Sequence, residues 1–119
     1  MIAASLLAYL ALFQSMPGPS ATLTEPMARI QGVDSPAVKV MIRTVDDGEI
    51  LWVGQYRLGT TTEVMPGTHK FNVMCEFRAS WGSRLTPADV IVEVEAGETY
   101  WLNARQEGER CVVTVDRPR

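Results

Sequence analysis

Apolar residues recur at every second position along most of this chain, and that alternation constrains the fold more than any other feature. Because successive side chains of a strand point to opposite faces, a period of two indicates a strand with one buried face. No period of 3.6 residues occurs after residue 24. The pattern therefore predicts an all-β fold. The predicted inward positions are Val38, Val40, Ile42, His69, Phe71, Val73, Cys75, Phe77, Val90, Val92, Val94, Tyr100, Leu102, Ala104, Cys111, Val113 and Val115.

Turn residues separate the alternating segments at short intervals. Asp46-Asp47-Gly48 tolerates positive φ, Pro66-Gly67 makes a tight corner, and Glu107-Gly108-Glu109 precedes the last segment. Residues 90–105 have the spacing of a hairpin. Six or seven short strands with regular turns predict a small antiparallel β-sandwich over residues 37–119.

Two segments carry a weaker strand pattern. Residues 50–56 are rich in β-forming side chains, but Gly54 interrupts them in the way that often marks a bulge. Residues 22–36 mix Thr, Pro, Gly, Asp and Ser with few apolar side chains. That composition is typical of a linker or of an irregular first strand.

The N-terminal segment differs in composition from the rest of the chain. No charged side chain precedes Glu25, and residues 2–13 are almost entirely apolar. A stretch of that length matches the apolar part of a signal peptide and is too short to span a bilayer as a helix. Residues 1–21 are therefore predicted to be a helical signal peptide or an uncleaved N-terminal anchor. The expected location is periplasmic or extracellular, with a possible tether to the inner membrane.

The two cysteines, Cys75 and Cys111, are predicted to form a disulfide. The neighbours of each place its side chain on the inward face of a strand, so the two thiols point into the same core. An exported chain also meets an oxidising compartment, where thiols of suitable geometry pair.

Several function classes are disfavoured by composition. The net charge is −3 and no basic run occurs, so a nucleic-acid partner is not expected. His69 is the only histidine, and no nucleophile or phosphate-binding motif accompanies it. One histidine and two pairing cysteines are too few ligands for a zinc site. We therefore expect no enzymatic activity, no cofactor and no metal.

Exposed aromatic and arginine side chains are the residue types that most often anchor a binding partner. Residues 79–87 form a long polar interruption, predicted to be a loop, which contains Trp81 and Arg84. Trp101 and Arg105 share the outward face of a later strand, where Trp101 is either exposed or covered by another part of the chain. These four residues are the predicted contact residues.

The sequence thus favours a non-enzymatic exported module that binds or scaffolds another cell-envelope component, either a protein or a cell-wall polymer. Two alternatives remain open. The first is a secreted inhibitor that inserts loop 79–87 into the cleft of a partner. The second is a small hydrolase centred on His69 with Asp46 or Asp47, which requires a histidine that titrates freely and reaches solvent.

The turn Val45-Asp46-Asp47-Gly48, the stretch Leu58-Gly59-Thr60-Thr61 and the corner before the strand at Thr68 resemble PEGA-type domains of bacterial cell-envelope proteins. In that family a Val-Asp-Gly turn is followed by Gly-x-Thr and then by a Pro-Gly corner and an alternating strand. Residues 92–100 are similar to the second half of such a unit, so the resemblance covers about residues 37–105. It implies a small envelope β-sandwich used for binding or scaffolding, and it implies no catalytic residue.

Overall fold

The computed structural model describes residues 26–117. These residues form nine strands and no helix. The expected leader at residues 1–21 lies outside the described residues. The strands are β1 (Ala28–Gly32), β2 (Val38–Val45), β3 (Trp52–Gly54), β4 (Arg57–Leu58), β5 (Thr61–Val64), β6 (Gly67–Ala79), β7 (Gly82–Val94), β8 (Thr99–Glu107) and β9 (Arg110–Asp116).

The strands form two main sheets and one small hairpin. One sheet has the order β5-β1-β8-β9, the other has the order β2-β6-β7, and β3 pairs only with β4. The all-β prediction is confirmed for the described residues. The strand number exceeds the six or seven expected. Strands β1 and β8 also run parallel, so the larger sheet is mixed rather than purely antiparallel as predicted.

The two sheets share one hydrophobic core, in which Ala28, Ile30 and Val64 join residues from the predicted inward positions. Phe71, Val73 and Cys75 of β6 are fully buried, and Leu102 of β8 is buried on the side of the other sheet. Every second residue therefore enters the core, as the period of two indicated. Tyr100 is buried too, and its hydroxyl accepts a hydrogen bond from the main-chain N–H of Glu95 at 2.9 Å.

Strand β1 lies within residues 22–36, whose composition predicted a linker or an irregular first strand. It sits between β5 and β8 in the larger sheet, with Ala28 and Ile30 fully buried. The folded domain therefore begins before residue 37. Gly32 ends the strand at a close approach to β2, where a Cβ atom would lie 2.0 Å from the carbonyl oxygen of Val40.

Two predictions about the second half of the chain are wrong. Residues 79–87 are not a loop, because Ala79 pairs with Gly82 and only Ser80 and Trp81 remain in the turn between β6 and β7. Residues 82–87 belong to an edge strand, where Pro87 is tolerated. Arg84 and Thr86 are half-buried on the face of β7 that carries Val92 further along, and Leu85 is exposed on the opposite face. Residues 90–105 are not a hairpin either, since β7 and β8 belong to different sheets.

The predicted disulfide between Cys75 and Cys111 is confirmed, with the two Cα atoms 6.5 Å apart. It joins β6 of one sheet to β9 of the other, so it links the two halves of the sandwich covalently. A disulfide is consistent with an oxidising location outside the cytosol. Residues 26–117 contain no helix with the length and apolar character that crossing a membrane requires.

Candidate functional site: an exposed aromatic arm

The four predicted contact residues lie on β7, on β8 and at the turn between β6 and β7. Trp81 lies at the turn between β6 and β7 and is 75% exposed. Arg84 is paired with Glu109 at 2.9 Å, and Arg105 donates to Glu107 at 2.8 Å. The remaining contact residue, Trp101, is exposed on the outer face of the larger sheet, four residues and roughly 13 Å along β8 from Arg105.

Elsewhere, three large exposed apolar side chains lie together on the hairpin formed by β3 and β4. We call residues 52–58 the aromatic arm. Trp52 is 51% exposed, Val53 63% and Tyr56 83%, and none of the three belongs to the core. Large apolar side chains that cluster on a surface mark interaction sites more often than isolated ones do.

The sequence contained a signal for this arm that the strand prediction did not use. Trp52 and Tyr56 occupy one parity of the segment and Val53 the other, so a strand there cannot bury all three on a single face. Such a segment is either covered on both faces or exposes one of them. The structure leaves these side chains exposed.

The two rings of the arm meet edge to face. The centroids of Trp52 and Tyr56 are 6.1 Å apart and the ring planes stand at 85°. Edge-to-face packing is a favourable arrangement of aromatic rings and holds the two side chains relative to each other. The rings, together with Val53 and Gln55, line a solvent-open hollow of about 560 Å³.

Tyr56 adopts a backbone conformation that bulky residues rarely take. Its φ is +56°, in the left-handed region where glycine and asparagine are favoured. Left-handed geometry costs an ordinary residue roughly 1–2 kcal/mol. At 83% exposure the ring recovers little of this cost by burial. The fold alone therefore does not account for a tyrosine at this position.

The base of the arm is held firmly against β2. The N–H of Leu51 donates to the carbonyl of Arg43, and the N–H of Ile42 donates to the carbonyl of Gly59, both at 2.9 Å. Gly59 also lies close to Val53, since a Cβ atom at residue 59 would approach that side chain to 2.8 Å. The arm therefore leaves the domain from a fixed base.

His69, on β6, uses both ring nitrogens. Its Nδ1 is 2.6 Å from a carboxylate oxygen of Asp46, and its Nε2 is 2.7 Å from the carbonyl oxygen of Met65. Burial alone would lower the pKa of His69, but the two hydrogen bonds and the charge of Asp46 raise it above its ordinary value of 6.5. The pKa of Asp46 is lowered, first by the hydrogen bond from His69 and then by that from the N–H of Lys70.

This geometry differs from what the His69 hydrolase hypothesis requires. A general base needs a free nitrogen lone pair, yet both nitrogens of His69 face oxygen atoms that only accept hydrogen bonds. The side chain is also only 17% exposed, whereas the hypothesis calls for a histidine that reaches solvent. Within residues 26–117, no group of three or more His, Cys, Asp or Glu side chains is placed to hold a metal ion.

Comparison of the chain with protein-family models, curated proteins and solved structures finds no match. The resemblance to PEGA-type domains therefore stays a prediction.

Proposed function

We propose that this protein is an exported, non-enzymatic binding module that holds a partner protein of the cell envelope through the aromatic arm. The observation that carries this proposal is Tyr56, which is strained in its backbone and exposed in its side chain. Strain that no packing explains points to a functional constraint. Tyrosine and tryptophan are also the residues that most often dominate binding energy at protein interfaces.

The angle between the rings favours a protein over a cell-wall polymer. Two rings that stack along a polysaccharide would present faces in a common plane, whereas Trp52 and Tyr56 are nearly perpendicular. Perpendicular rings form a corner, and a corner receives an apolar side chain of a partner. Gln55 and Arg57 flank it with polar groups, as in an interface with an apolar centre and a polar rim.

The location and the scaffold support the same proposal. The disulfide between Cys75 and Cys111 suits an oxidising compartment. The hydrogen bonds at the base of the arm keep its position fixed, and a preorganised contact loses less entropy on binding. A periplasmic or extracellular module is therefore the form in which we expect the protein to act.

Site-specific crosslinking tests the proposal. A photoreactive residue at position 53 should capture a defined envelope protein, while the same residue at position 114, on the outer face of β9, should not. Once the partner is purified, Trp52→Ala should weaken its affinity by about 30-fold or more, since interface hot spots contribute about 2 kcal/mol or more.

The originally predicted contact residues supply matched controls. Trp81→Ala and Trp101→Ala each remove an exposed tryptophan of the same kind from a different part of the domain. If either variant abolishes binding and Trp52→Ala does not, the aromatic arm is the wrong site. If only Trp81→Ala abolishes binding, the inhibitor hypothesis is favoured instead. The element that enters the partner would then be the two-residue turn rather than a loop at 79–87.

A further inference from the structure

The aromatic arm belongs to an excursion of the chain whose two ends meet at one side chain. The excursion leaves β2 at Asp46 and returns to β6 after Met65. His69 bonds to the carboxylate at the first end and to the main-chain carbonyl at the second, at 2.6 and 2.7 Å. It therefore ties together the entry and the exit of the segment that carries Trp52 and Tyr56.

The chemistry of the two contacts requires a proton on each ring nitrogen. A neutral imidazole has one N–H donor and one lone pair, so it can satisfy only one of two accepting oxygens. Deprotonation of His69 would set that lone pair against an oxygen of Asp46 or of Met65 at less than 3 Å. One end of the excursion must then move away or lose its bond.

Other charged groups at this end of the sheet are engaged elsewhere. Asp46 is the charged side chain in contact with His69, and it also accepts from the N–H of Lys70 at 2.8 Å. On the same turn, Asp47 pairs with the ammonium group of Lys70. On β7, opposite β6, the acidic side chains Asp89 and Glu93 lie at exposed positions on the outer face, and on β5 Glu63 pairs with Arg29.

We propose that His69, as an imidazolium bridging Asp46 and the Met65 carbonyl, is a positioning residue of the aromatic arm beside the hydrogen bonds of Leu51 and Gly59 to β2, so that partner binding weakens as His69 loses its proton. This inference rests on the proposed function only for its link to binding. The link between protonation and the order of the arm stands without it.

Nuclear magnetic resonance of the oxidised chain, purified without a histidine tag, tests the first link directly. Since the chain contains a single histidine, its ring ¹⁵N signals are unambiguous. At pH values below the His69 transition both nitrogens should report as protonated. As the pH rises through the His69 transition, the amide order parameters of residues 52–58 should fall with the same midpoint. Those of Phe71 and Val73 should not change.

Three variants separate positioning from general stability. Asp46→Asn removes the charged partner of His69, so it should lower the midpoint of the transition and shift the loosening of the arm by the same amount. Asp47→Asn, at the adjacent left-handed position, leaves the His69 contacts in place and should change neither. His69→Gln should make the order of the arm independent of pH.

The outcomes distinguish this inference from the proposed function. If His69 titrates at its ordinary pKa, or if the arm stays equally ordered on both sides of the transition, the positioning role is wrong whatever the arm binds. If the arm loosens with His69 while Trp52→Ala leaves partner affinity unchanged, the positioning role stands and the arm is not the binding site. If both hold, affinity for the purified partner should fall at least tenfold across the same transition.

Discussion

Tyr56 combines an unfavourable backbone conformation with an exposed aromatic ring, and this combination yields a test at the scale of one residue. Tyr56→Asn should change the free energy of unfolding by less than about 0.5 kcal/mol. Relief of left-handed strain, about 1 kcal/mol, offsets the loss of the ring pair with Trp52, worth about 0.5–1.5 kcal/mol. Urea unfolding measures the change in the free energy of unfolding. The affinity of Tyr56→Asn for the crosslinked partner should be lower than that of the wild type. A loss of more than about 2 kcal/mol would show instead that Tyr56 is needed for folding.

The pair of His69 and Asp46 gives stability a predictable dependence on pH. Because the pKa of His69 is raised in the folded state, its contribution is complete below about 6.5 and is lost as the pH rises through the folded pKa. Because the pKa of Asp46 is lowered, its contribution is present above 3.8 and is lost as the pH falls through the folded pKa. The stability difference between the wild type and Asp46→Asn should therefore be largest at about pH 4–6.5.

Chemical denaturation at a series of pH values checks this prediction. The difference between the two proteins should shrink on the alkaline side of the plateau and again in strong acid. The difference between Asp47→Asn and the wild type should not shrink as His69 deprotonates, because Asp47 contacts Lys70, whose pKa is raised above its ordinary value of 10.5. If the stability difference between the wild type and Asp46→Asn keeps growing toward pH 9, the pKa of His69 is not raised in the folded state.

At the scale of elements, β1 shows how one glycine can decide a strand's position. Gly32→Ala should lower the free energy of unfolding by about 3 kcal/mol, since a Cβ atom there meets the main chain of Val40 at 2.0 Å and β2 must shift. Gly54→Ala is the matched control, because its nearest neighbour would be 3.9 Å away, and it should change stability by less than about 1 kcal/mol. Equal effects at both sites would mean that β1 and β2 are not packed as closely as described.

Residues 79–87 give a second example at the scale of elements. The segment has the composition of a loop, yet residues 82–87 continue the ladder with β6 as the first half of β7. The inward-facing positions of this half of β7 are occupied by Arg84 and Thr86 rather than by apolar residues, so composition there does not separate strand from loop. Pairing with β6 makes residues 82–87 a strand, and composition alone does not reveal that pairing.

At the scale of the whole molecule, the disulfide holds together two sheets that otherwise share only a small core. The bond joins residues 36 apart. Replacing both Cys75 and Cys111 with Ala should cost roughly 3–4 kcal/mol, because the unfolded chain regains the entropy of the open loop. That amount is comparable with the net stability of a small domain. Chemical unfolding of the double variant, compared with the oxidised and the reduced wild type, measures this loss of stability. A loss below about 1 kcal/mol would show that the core alone stabilises the fold.

The sequence by itself determined the all-β class, the inward face of most strands and the pairing of Cys75 with Cys111. These follow from local geometry, because the direction of each side chain along a strand depends only on its parity and a chain with two inward cysteines has one possible pair. The same logic contained the signal for the aromatic arm in the mixed parity of Trp52 and Val53. The turn at Asp46 and Asp47 was predicted for the same local reason, since both residues adopt positive φ.

Only the tertiary structure decided which sheet each strand joins, that β1 enters the larger sheet beside β8, and that the chain crosses between sheets after β7. It also decided that His69 reaches Asp46, 23 residues earlier. Strand pairing and contacts between distant residues depend on the summed burial of the whole core and on its close approaches, such as that of Gly32. No local pattern encodes that sum, so the exposure of the aromatic arm and the contacts of His69 depend on the tertiary structure.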